Sequence, residues 1–313
     1  MISSRTILLV SAFVGFFAFS ACNESAKQEA WQVETALSGT ITVVCDQEIL
    51  GILAPAKAIY DREHPNARVS LVSADVLNAM NRILNHQERI AIIARDYIPT
   101  EDSAISNDPS DTLPRTLLAR DALVFFVSQS FPYDTMNADD IRGWLSGSSD
   151  VLSSYPQLKK DPVFVVSGGS NGSIYANIVN VVLKGKLPSA KRIASLGTHD
   201  SVVREVSGSV GAIGVGYLSQ IQHDTLVKPL RLSYTNPDGT HEWPKPVHVS
   251  YLIMGKYPFP VPIYVYIRDM PNQYNLPSGF MQFITRNAAA QKTFLTAGIE
   301  PGFGKFSLIM PEE

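Results

Sequence analysis

The amino-acid sequence predicts an α/β fold with parallel strands in its sheets. Short apolar runs rich in valine and isoleucine alternate with segments whose apolar residues recur at helical spacing. The first predicted strand, residues 40–45, is almost continuously β-branched, which is typical of a strand covered on both faces. The length of 313 residues allows two modest domains, each with its own core. Strands and helices that alternate in this way favour a parallel α/β sheet.

The segments after the first strand continue this alternation. Helices are predicted over 49–60, before Pro65, and over 76–84, and strands over 69–72 and 90–94. Residues 107–111 are predicted to form a turn rich in Pro, Ser and Asp. Two apolar runs after this turn, 116–119 and 122–127, are predicted to cross between two lobes.

The second half of the chain predicts further strands and helices. Asn137 is predicted to cap a helix that Gly147 closes, and the strand 163–166 leads through a Gly/Ser turn into a helix over 174–183. The remaining predictions are a helix over 202–206, strands over 212–215, 249–254 and 263–267, a loop over 236–246, and a helix over 280–295 that ends at Gly298.

Residues 1–22 predict an exported, lipid-anchored protein. Arg5 precedes an apolar run over residues 7–19, and Phe-Ser-Ala-Cys at 19–22 ends this run with small residues before a cysteine. These four residues resemble the bacterial lipobox, in which the cysteine, here Cys22, is acylated and becomes the mature N-terminus. A transmembrane helix needs about 20 apolar residues, and this run is shorter. The polar residues 23–38 are predicted to link the anchor to the folded domain.

Charge and composition exclude several functional classes. The chain has 26 basic and 29 acidic residues, and Arg5 is the only charged residue within 1–21. The mature chain therefore keeps 25 basic and 29 acidic residues, which gives a net charge of −4. The basic residues are dispersed, so no nucleic-acid partner is expected. With Cys22 lipidated, Cys45 has no partner for an intrachain disulfide and is predicted to be buried at a strand end. The six histidines show no metal-binding spacing, and neither a metal nor another cofactor is predicted.

Five stretches resemble segments of one known protein family. They are Ile-Ile-Ala-Arg-Asp at 92–96, Ala-Arg-Asp-Ala-Leu at 119–123, the helix over 137–147, Val-Gly-Ala-Ile-Gly-Val-Gly-Tyr at 210–217 and Ser-Gly-Phe at 278–280. In this order they are similar to the phosphate-binding, PstS-like branch of the solute-binding proteins of ABC transporters. The resemblance covers nearly all of the mature chain.

The resemblance implies a two-lobed type II periplasmic-binding-protein fold, in which each lobe is a mixed, mainly parallel sheet flanked by helices. It assigns residues 39–122 and 245–313 to lobe 1, and residues 123–244 to lobe 2. It also implies a monomeric, non-catalytic protein of the cell envelope that faces the periplasm and captures a small oxyanion between its lobes. Phosphate is the favoured ligand, and an ABC-type permease is the implied partner.

The resemblance and the positions of the strand ends together predict three ligand-binding loops. They comprise Asp46, Gln47 and Glu48 after the first strand, Arg95 and Asp96 after the third, and Ser170, Asn171, Gly172 and Ser173 after the strand that ends at Val166. Backbone N–H groups, hydroxyls and a helix start converge in the last of these loops, which suits an oxyanion. Alternatively, Ser170 or Ser173 caps the helix and the glycines serve a tight turn.

The charged residues of the first two loops allow two interpretations each. The Arg95 guanidinium could supply a fixed positive charge, or it could form a surface ion pair with Asp96. The carboxylates of Asp46, Glu48 and Asp96 would repel a dianion, but they accept hydrogen bonds and could select an oxyanion that still carries a proton. Asp46 and Gln47 could also simply start the following helix, whose dipole favours an acid.

Two departures from the family pattern affect the choice of ligand. The family has a Ser-Gly-Thr-Arg-like run at the Gly/Ser loop, whereas here Ile174 and Tyr175 follow Ser173, and no Lys or Arg appears before Lys184. The family's first loop is usually Gly-Ser-Thr, and here it is the acidic Cys-Asp-Gln-Glu at 45–48. Such a site could bind a zwitterion or another anion, or could have lost small-ligand binding. Tyr175 could replace the missing arginine with its hydroxyl, or it could pack against its lobe.

Two other classes of protein compete with the receptor interpretation. Residues 168–172 fit the G-x-S-x-G motif between a predicted strand and helix, so Ser170 could be the nucleophile of a hydrolase. Four histidines follow it in the sequence, namely His199, His223, His241 and His248. The hydrolase ranks below the receptor, because so short a motif arises by chance in Gly/Ser loops. The exchanged loop residues would also permit an envelope adaptor that keeps the fold without transport.

Overall fold

Strands and helices alternate through the residues that the computed structural model describes, which are 34–106, 113–150, 152–268, 274–304 and 310–311. The predicted export signal with Cys22, most of the predicted linker and the predicted turn over 107–111 lie outside the described residues. The described residues belong to one compact unit, Val33–Glu313.

The helices and strands have the following bounds. The first part contains β1 (Gly39–Asp46), α1 (Leu50–Glu63), β2 (Ala67–Ala74), α2 (Val76–Leu84), β3 (Ile90–Ile93), α3 (Pro99–Ser106), β4 (Arg115–Ser128), β5 (Thr135–Asn137), α4 (Ala138–Ser146) and β6 (Val163–Ser167). The second part contains α5 (Ser173–Asn177), β7 (Ile193–Leu196), α6 (His199–Gly208), β8 (Ala212–Tyr217), α7 (Leu218–Ile221), β9 (Val227–Pro229), β10 (Arg231–Thr235), β11 (His241–Glu242), α8 (Val249–Ile253), β12 (Pro260–Ile267), α9 (Leu276–Arg286), α10 (Ala288–Thr296) and β13 (Glu300–Pro301).

One long mixed sheet and one small sheet organise these elements. The long sheet has the order β2-β1-β3-β12-β4-β8-β6-β7, and β9 and β13 also pair with β4. β1 runs parallel to β2 and β3, and these three strands form the first parallel group. β6 runs parallel to β7 and β8, and these form the second parallel group. The small sheet has the order β11-β10-β5. The predicted α/β class, with mixed and mainly parallel strands, is confirmed.

β4 joins the two parallel groups. It pairs antiparallel with β12 through residues 115–122 and with β8 through residues 123–126. The sequence predicts two separate apolar runs here, because Arg120 and Asp121 interrupt them. The structure has one continuous strand instead, and Asp121 is accommodated because its carboxylate accepts hydrogen bonds from Ser219 Oγ at 2.5 Å and from Ala122 N at 2.7 Å.

Side-chain caps explain why several helix starts agree with the sequence. Asp75 accepts a hydrogen bond from Asn78 N at the start of α2. Asn137 accepts one from Asp139 N at the start of α4, as predicted. Gly147 ends α4 with φ of 73°, in the left-handed region that glycine adopts without steric cost.

Two predicted segments have a different secondary structure. Residues 249–254 were expected to form a strand, but they contain the helix α8, and His248 Nδ1 caps it by accepting from Ser250 N at 3.2 Å. A short apolar run suits a buried strand and a buried helix equally well, so periodicity does not distinguish them. The predicted loop over 236–246 contains the two-residue strand β11, which pairs with β10.

Two predicted helices are interrupted. The helix expected over 280–295 is divided into α9 and α10, because Asn287 adopts an extended conformation and caps α10. The helix expected over 174–183 continues from α5 as a π-helical turn, Ile178–Val182. Such turns insert one residue into a helix and frequently occur at functional sites.

The hydrophobic core extends across the long sheet. Trp144 packs edge-on against Phe164, with 5.8 Å between the ring centroids, and Tyr60 packs in the same manner against Phe280 at 5.0 Å. Cys45 is fully buried at the end of β1, as predicted, and burial raises the pKa of its thiol far above the ordinary value. Among the described helices, none has the length and apolar character needed to cross a membrane.

Candidate ligand cleft

Residues that follow strands of both parallel groups contact one another at one seam, which we call the cleft. Ligands of open α/β sheets bind at such a place, beyond the carboxyl ends of the strands. A Cβ atom placed on Gly168 would lie 2.8 Å from Gln47 Nε2, so the Gly/Ser loop and the first loop are in direct contact. The cleft comprises Asp46, Gln47, Glu48, Ala94, Gly168, Gly172, Ser173, Asn177, Tyr217 and Gln220.

Asp46 ends β1 at the start of the first loop and is fully buried. Its Oδ1 accepts a hydrogen bond from Glu48 N at 3.1 Å, and its Oδ2 accepts one from Ala94 N at 3.4 Å. Burial raises the pKa of this carboxyl to about 6, although Ser173 and the two backbone N–H groups act in the opposite direction. Asp46 therefore changes charge close to neutral pH.

The backbone of the Gly/Ser loop requires its glycines. Gly168 and Gly169 have φ values of 71° and 63°, in the left-handed region that other residues rarely adopt. A short 3₁₀ turn, Gly169–Asn171, follows, and Gly172 precedes α5 without a side-chain cap. The alternative prediction that Ser170 or Ser173 caps this helix is therefore wrong. Ser170 and Asn171 are exposed, and Ser173 is fully buried.

The side-chain hydroxyl of Ser173 is buried without a hydrogen bond of regular geometry to a described residue. Its Oγ is buried beside Asp46 and Tyr217, and it lowers the pKa of both groups. Yet among the described residues it makes no hydrogen bond of regular geometry. A buried polar atom without a partner is unfavourable and usually indicates an unseen water, ion or ligand.

Glu48 connects the two sides of the cleft. Its Oε1 accepts a hydrogen bond from Gln47 Nε2 at 3.1 Å, and its Oε2 accepts one from Gln220 Nε2 at 2.9 Å. Gln220 is held by its own Oε1, which accepts from Tyr217 N at 2.9 Å at the start of α7. The Glu48 carboxylate is therefore bound by two neutral amides, one from Gln47 in the same loop and one from Gln220 in α7.

Asn177 makes a second connection across the cleft. Its Nδ2 donates to Ala94 O at 2.7 Å and to Tyr217 Oη at 2.9 Å. All three residues are fully or almost fully buried. Burial raises the pKa of Tyr217 well above its ordinary value, so its hydroxyl remains protonated and can donate a hydrogen bond.

Arg95, the predicted source of positive charge, is bound by the protein itself. It is 2% exposed, and its Nη1 and Nη2 form a bidentate ion pair with the Glu101 carboxylate at 2.7 and 2.5 Å. Nη1 also donates to Asp96 O at 2.7 Å. Among its nitrogens, Nε is buried without a partner from the described residues. The ion pair is thus internal, with Glu101, and differs from the surface pair with Asp96 that the sequence allowed.

Two other predicted site residues lie apart from the contacts that define the cleft. The Asp96 carboxylate is 3.0 Å from Arg115 Nη2, and it lines a separate surface cavity of about 410 Å³ with Tyr97 and Pro99. Tyr175 is half-buried on α5.

Sequence reasoning did not include Asn177, Tyr217 and Gln220 in the site. Tyr217 ends the glycine-bracketed strand β8, and Gln220 follows it in α7. A polar amide in the apolar helix after Ser173 was the available signal for Asn177. For the hydrolase alternative, no hydrogen bond joins Ser170 to a histidine within the described part of the chain. Those same residues contain no group of three His, Cys, Asp or Glu side chains that could hold a metal.

Comparison with known proteins identifies the fold. Residues 32–288 match the family described as the PBP superfamily domain. Among solved structures, one similar protein is a proposed phosphate ABC transporter substrate-binding protein from Clostridium perfringens with bound phosphate. The two sequences are 13% identical, and the TM-score is 0.67. The match covers 84% of this chain and 99% of that chain. An ABC-type phosphate transport receptor from Vibrio cholerae is 15% identical with a TM-score of 0.64, covering 84% of this chain and 100% of that chain.

A third structure, PstS from Borrelia burgdorferi, is 16% identical with a TM-score of 0.55, covering 84% of this chain and 99% of that chain. No curated protein matches the sequence of this chain. The two-lobed periplasmic-binding-protein fold that the sequence predicts is therefore confirmed.

Proposed function

The chain belongs to the PBP superfamily, and on this premise we propose that it is a solute-binding protein that closes its two lobes on a small oxyanion. Lobe 1 comprises residues 39–122 and 245–313, and lobe 2 comprises residues 123–244. The path of β4 supports this division, because its first part pairs with β12 and its last part pairs with β8. The cleft defined above then lies between the lobes.

The buried hydroxyl of Ser173 is the observation that carries this proposal. It lies close to the Asp46 carboxyl and the Tyr217 hydroxyl, and it makes no hydrogen bond of regular geometry to a described residue. An oxyanion oxygen would accept its hydrogen bond, together with N–H groups of the Gly/Ser loop. Arg95 could contribute through Nε, since its other two nitrogens already donate to protein oxygens.

Phosphate is the oxyanion that we favour. One protein of the same fold was solved with bound phosphate. The residues that define the cleft include carboxylates, amides and hydroxyls, and neither Lys nor Arg is among them. An ionised Asp46 can only accept hydrogen bonds, so it would favour a ligand oxygen that still carries a proton, as in hydrogen phosphate, over sulfate.

We further propose that the protein acts at the cell envelope, anchored through a lipid on Cys22 and facing the periplasm. There it would deliver its ligand as a monomer to an ABC-type permease. The support is the sequence of residues 1–22 and the transport role named for proteins of the same fold. The proposal requires binding and release, and it includes no catalytic step.

A thermal-melting experiment on the full chain tests this function. Phosphate at a hundredfold excess over Kd should stabilise the folded protein by about 2.7 kcal/mol. Ser173→Ala should reduce this stabilisation, because it removes a buried donor to the ligand. Ser170→Ala is the matched control, since Ser170 is an exposed serine of the same loop, and its effect should be smaller.

Sulfate, other oxyanions and amino acids complete the set of test ligands. If an amino acid shifts the melting temperature and no oxyanion does, the ligand is a zwitterion and the proposed oxyanion is wrong. The absence of a shift with every compound would contradict ligand capture in this cleft.

A further inference from the structure

His199 lies at the edge of the cleft, although none of the three predicted loops contains it. It is the first residue of α6, on the segment that follows β7. A Cβ atom placed on Gly216 would lie 3.3 Å from His199 Cε1 and 3.1 Å from Gln220 Oε1. Gln220 in turn donates to Glu48 at 2.9 Å. The imidazole therefore adjoins the amide that joins the two sides of the cleft.

Both ring nitrogens of His199 lack a partner. Nδ1 and Nε2 are buried, and neither makes a hydrogen bond to any described residue. The ring itself is fixed by Gly216 and by Phe126, whose ring centroid is 6.0 Å away. A neutral imidazole carries one N–H donor and one acceptor nitrogen, so two complementary hydrogen-bonding groups are available at this position.

The surroundings of His199 keep it neutral. Burial lowers the pKa of its imidazole below 6.5, while the carboxylates of Glu48, Asp200 and Asp224 act in the opposite direction. These three carboxylates are the charged groups that face it, and the other neighbours, Phe126, Gly216 and Gln220, carry no charge. Its place at the first turn of α6 also disfavours a positive charge.

We propose that His199 is a specificity-determining ligand contact, which offers the acceptor nitrogen of its neutral imidazole to an oxyanion that still carries a proton. This inference rests on the proposed function and extends it to the chemical class of the ligand. Hydrogen phosphate presents an O–H, which can donate to this nitrogen. Sulfate has only acceptors at neutral pH, so it leaves this nitrogen without a donor.

Titration calorimetry of the full chain with inorganic phosphate and with sulfate tests the proposal. In the wild type we expect phosphate to bind more tightly than sulfate at about pH 7.5. His199→Ala should reduce the phosphate-to-sulfate affinity ratio by about tenfold, since one hydrogen bond made only to phosphate is lost. His199→Asn and His199→Gln each keep one donor and one acceptor, so at least one of them should restore the preference. His223→Ala, which removes an exposed histidine just after α7, is the matched control.

The pH profile separates a ligand contact from a structural role. Protonation of His199 replaces its acceptor by a second donor, so the preference for phosphate should fall as the pH is lowered through the pKa of this imidazole, more steeply in the wild type than in the rescuing variant. Asp46 and the phosphate ion titrate equally in both proteins, and the comparison removes their contribution.

The outcomes distinguish the role of His199 from the proposed capture of an oxyanion. If the wild type binds phosphate but His199→Ala keeps the same ratio and the same pH profile, the role of His199 is overturned and the proposed function stands. If the wild type binds neither phosphate nor sulfate, oxyanion capture is overturned, and the role of His199 in it is overturned as well.

Discussion

Asp46 and Arg95 are charged residues buried near the ends of the neighbouring strands β1 and β3, and they are stabilised in different ways. Arg95 is paired with Glu101 in a bidentate arrangement that balances its charge. Asp46 has no cation beside it among the residues that the structure describes, and it instead accepts hydrogen bonds from two backbone N–H groups. Asp46 is therefore the group whose protonation responds to pH, and Arg95 is the group whose removal leaves an opposite charge unpaired.

The free energy of unfolding should depend on pH through Asp46. Its carboxyl has an ordinary pKa of 3.8 and a pKa of about 6 in the folded protein. Because the folded value is the higher one, the stability from this group is fully present below about pH 3.8 and is lost as pH rises through about 6. The difference between the two values corresponds to about 3 kcal/mol. We therefore expect Asp46→Asn to gain stability relative to the wild type as pH rises, by up to this amount.

Urea unfolding at about pH 4.5 and about pH 7.5 measures this difference. Asp121 is also buried with a pKa of about 6, but it titrates in both proteins and does not affect the comparison. If the two proteins differ by the same free energy at both pH values, the pKa of Asp46 is not raised.

Arg95→Ala should destabilise the protein strongly. The substitution leaves the buried Glu101 carboxylate without its cation, which typically costs about 3–5 kcal/mol. Arg120→Ala removes a comparable but exposed pair, Arg120 with Glu300 at 2.7 Å, and should cost about 0–1 kcal/mol. Chemical denaturation of both variants checks the contrast. Equal losses would show that the burial of the Arg95 pair has no energetic consequence.

At the scale of elements, the helix after the Gly/Ser loop positions Asn177 as well as Ser173. One turn later, Asn177 reaches β3 of the first parallel group and Tyr217 at the end of β8. The π-helical turn begins at the next residue, Ile178, and changes the register of the residues that follow. The same helix thus carries Ser173, the proposed ligand contact, and the amide that bonds to Ala94 just after β3.

Asn177→Ala should destabilise the folded protein. It removes the donor to Ala94 O and Tyr217 Oη and leaves Ala94 O with only the long hydrogen bond from Tyr217 Oη at 3.4 Å, with an expected cost of about 1–3 kcal/mol. Asn180→Ala changes an exposed amide three residues further along and should have almost no effect. Urea unfolding of the two variants provides the test. A loss of similar size in Asn180→Ala would mean that the buried hydrogen bonds of Asn177 do not account for the effect.

Local sequence signals predicted much of the fold. The strand β1 and the helices α2 and α4 could be predicted because caps, Gly147 and apolar periodicity agree there. The helix α8 could not, because its short, mainly apolar sequence also fits a strand and its cap is an uncommon one, His248.

The site was less accessible to prediction than the fold. Loops at strand ends could be located from sequence, and the structure places Gln47, Glu48 and Gly168 in contact. The partners of their side chains are set by tertiary structure, as when Gln220 reaches Glu48 from a position 172 residues away. Glu101, which binds Arg95, lies on α3, a helix without a clear apolar face.

At the scale of the whole molecule, one strand joins the two lobes. β4 pairs with β12 and then with β8, and Asp121 near its middle accepts from Ser219 Oγ at 2.5 Å. The crossing point is therefore fixed to Ser219 of α7, the residue immediately before Gln220, which donates to Glu48 of the first loop. If the proposed cleft binds its ligand, we expect binding to be connected to the relative position of the lobes through this short region.

The protein as a whole should be tethered to a membrane through Cys22. Phe-Ser-Ala-Cys at 19–22 ends an apolar run that is too short to span a bilayer, so acylation of the cysteine is the expected means of attachment. Cys22→Ala should release the protein from the membrane fraction or leave it as an unprocessed precursor. Cys45→Ala is the matched control, because it removes the other cysteine, which is buried in the core, and should leave the protein in the membrane fraction. Fractionation and intact-mass measurement provide the two readouts. A wild-type protein that carries no acyl mass and fractionates like Cys22→Ala would contradict the lipid anchor.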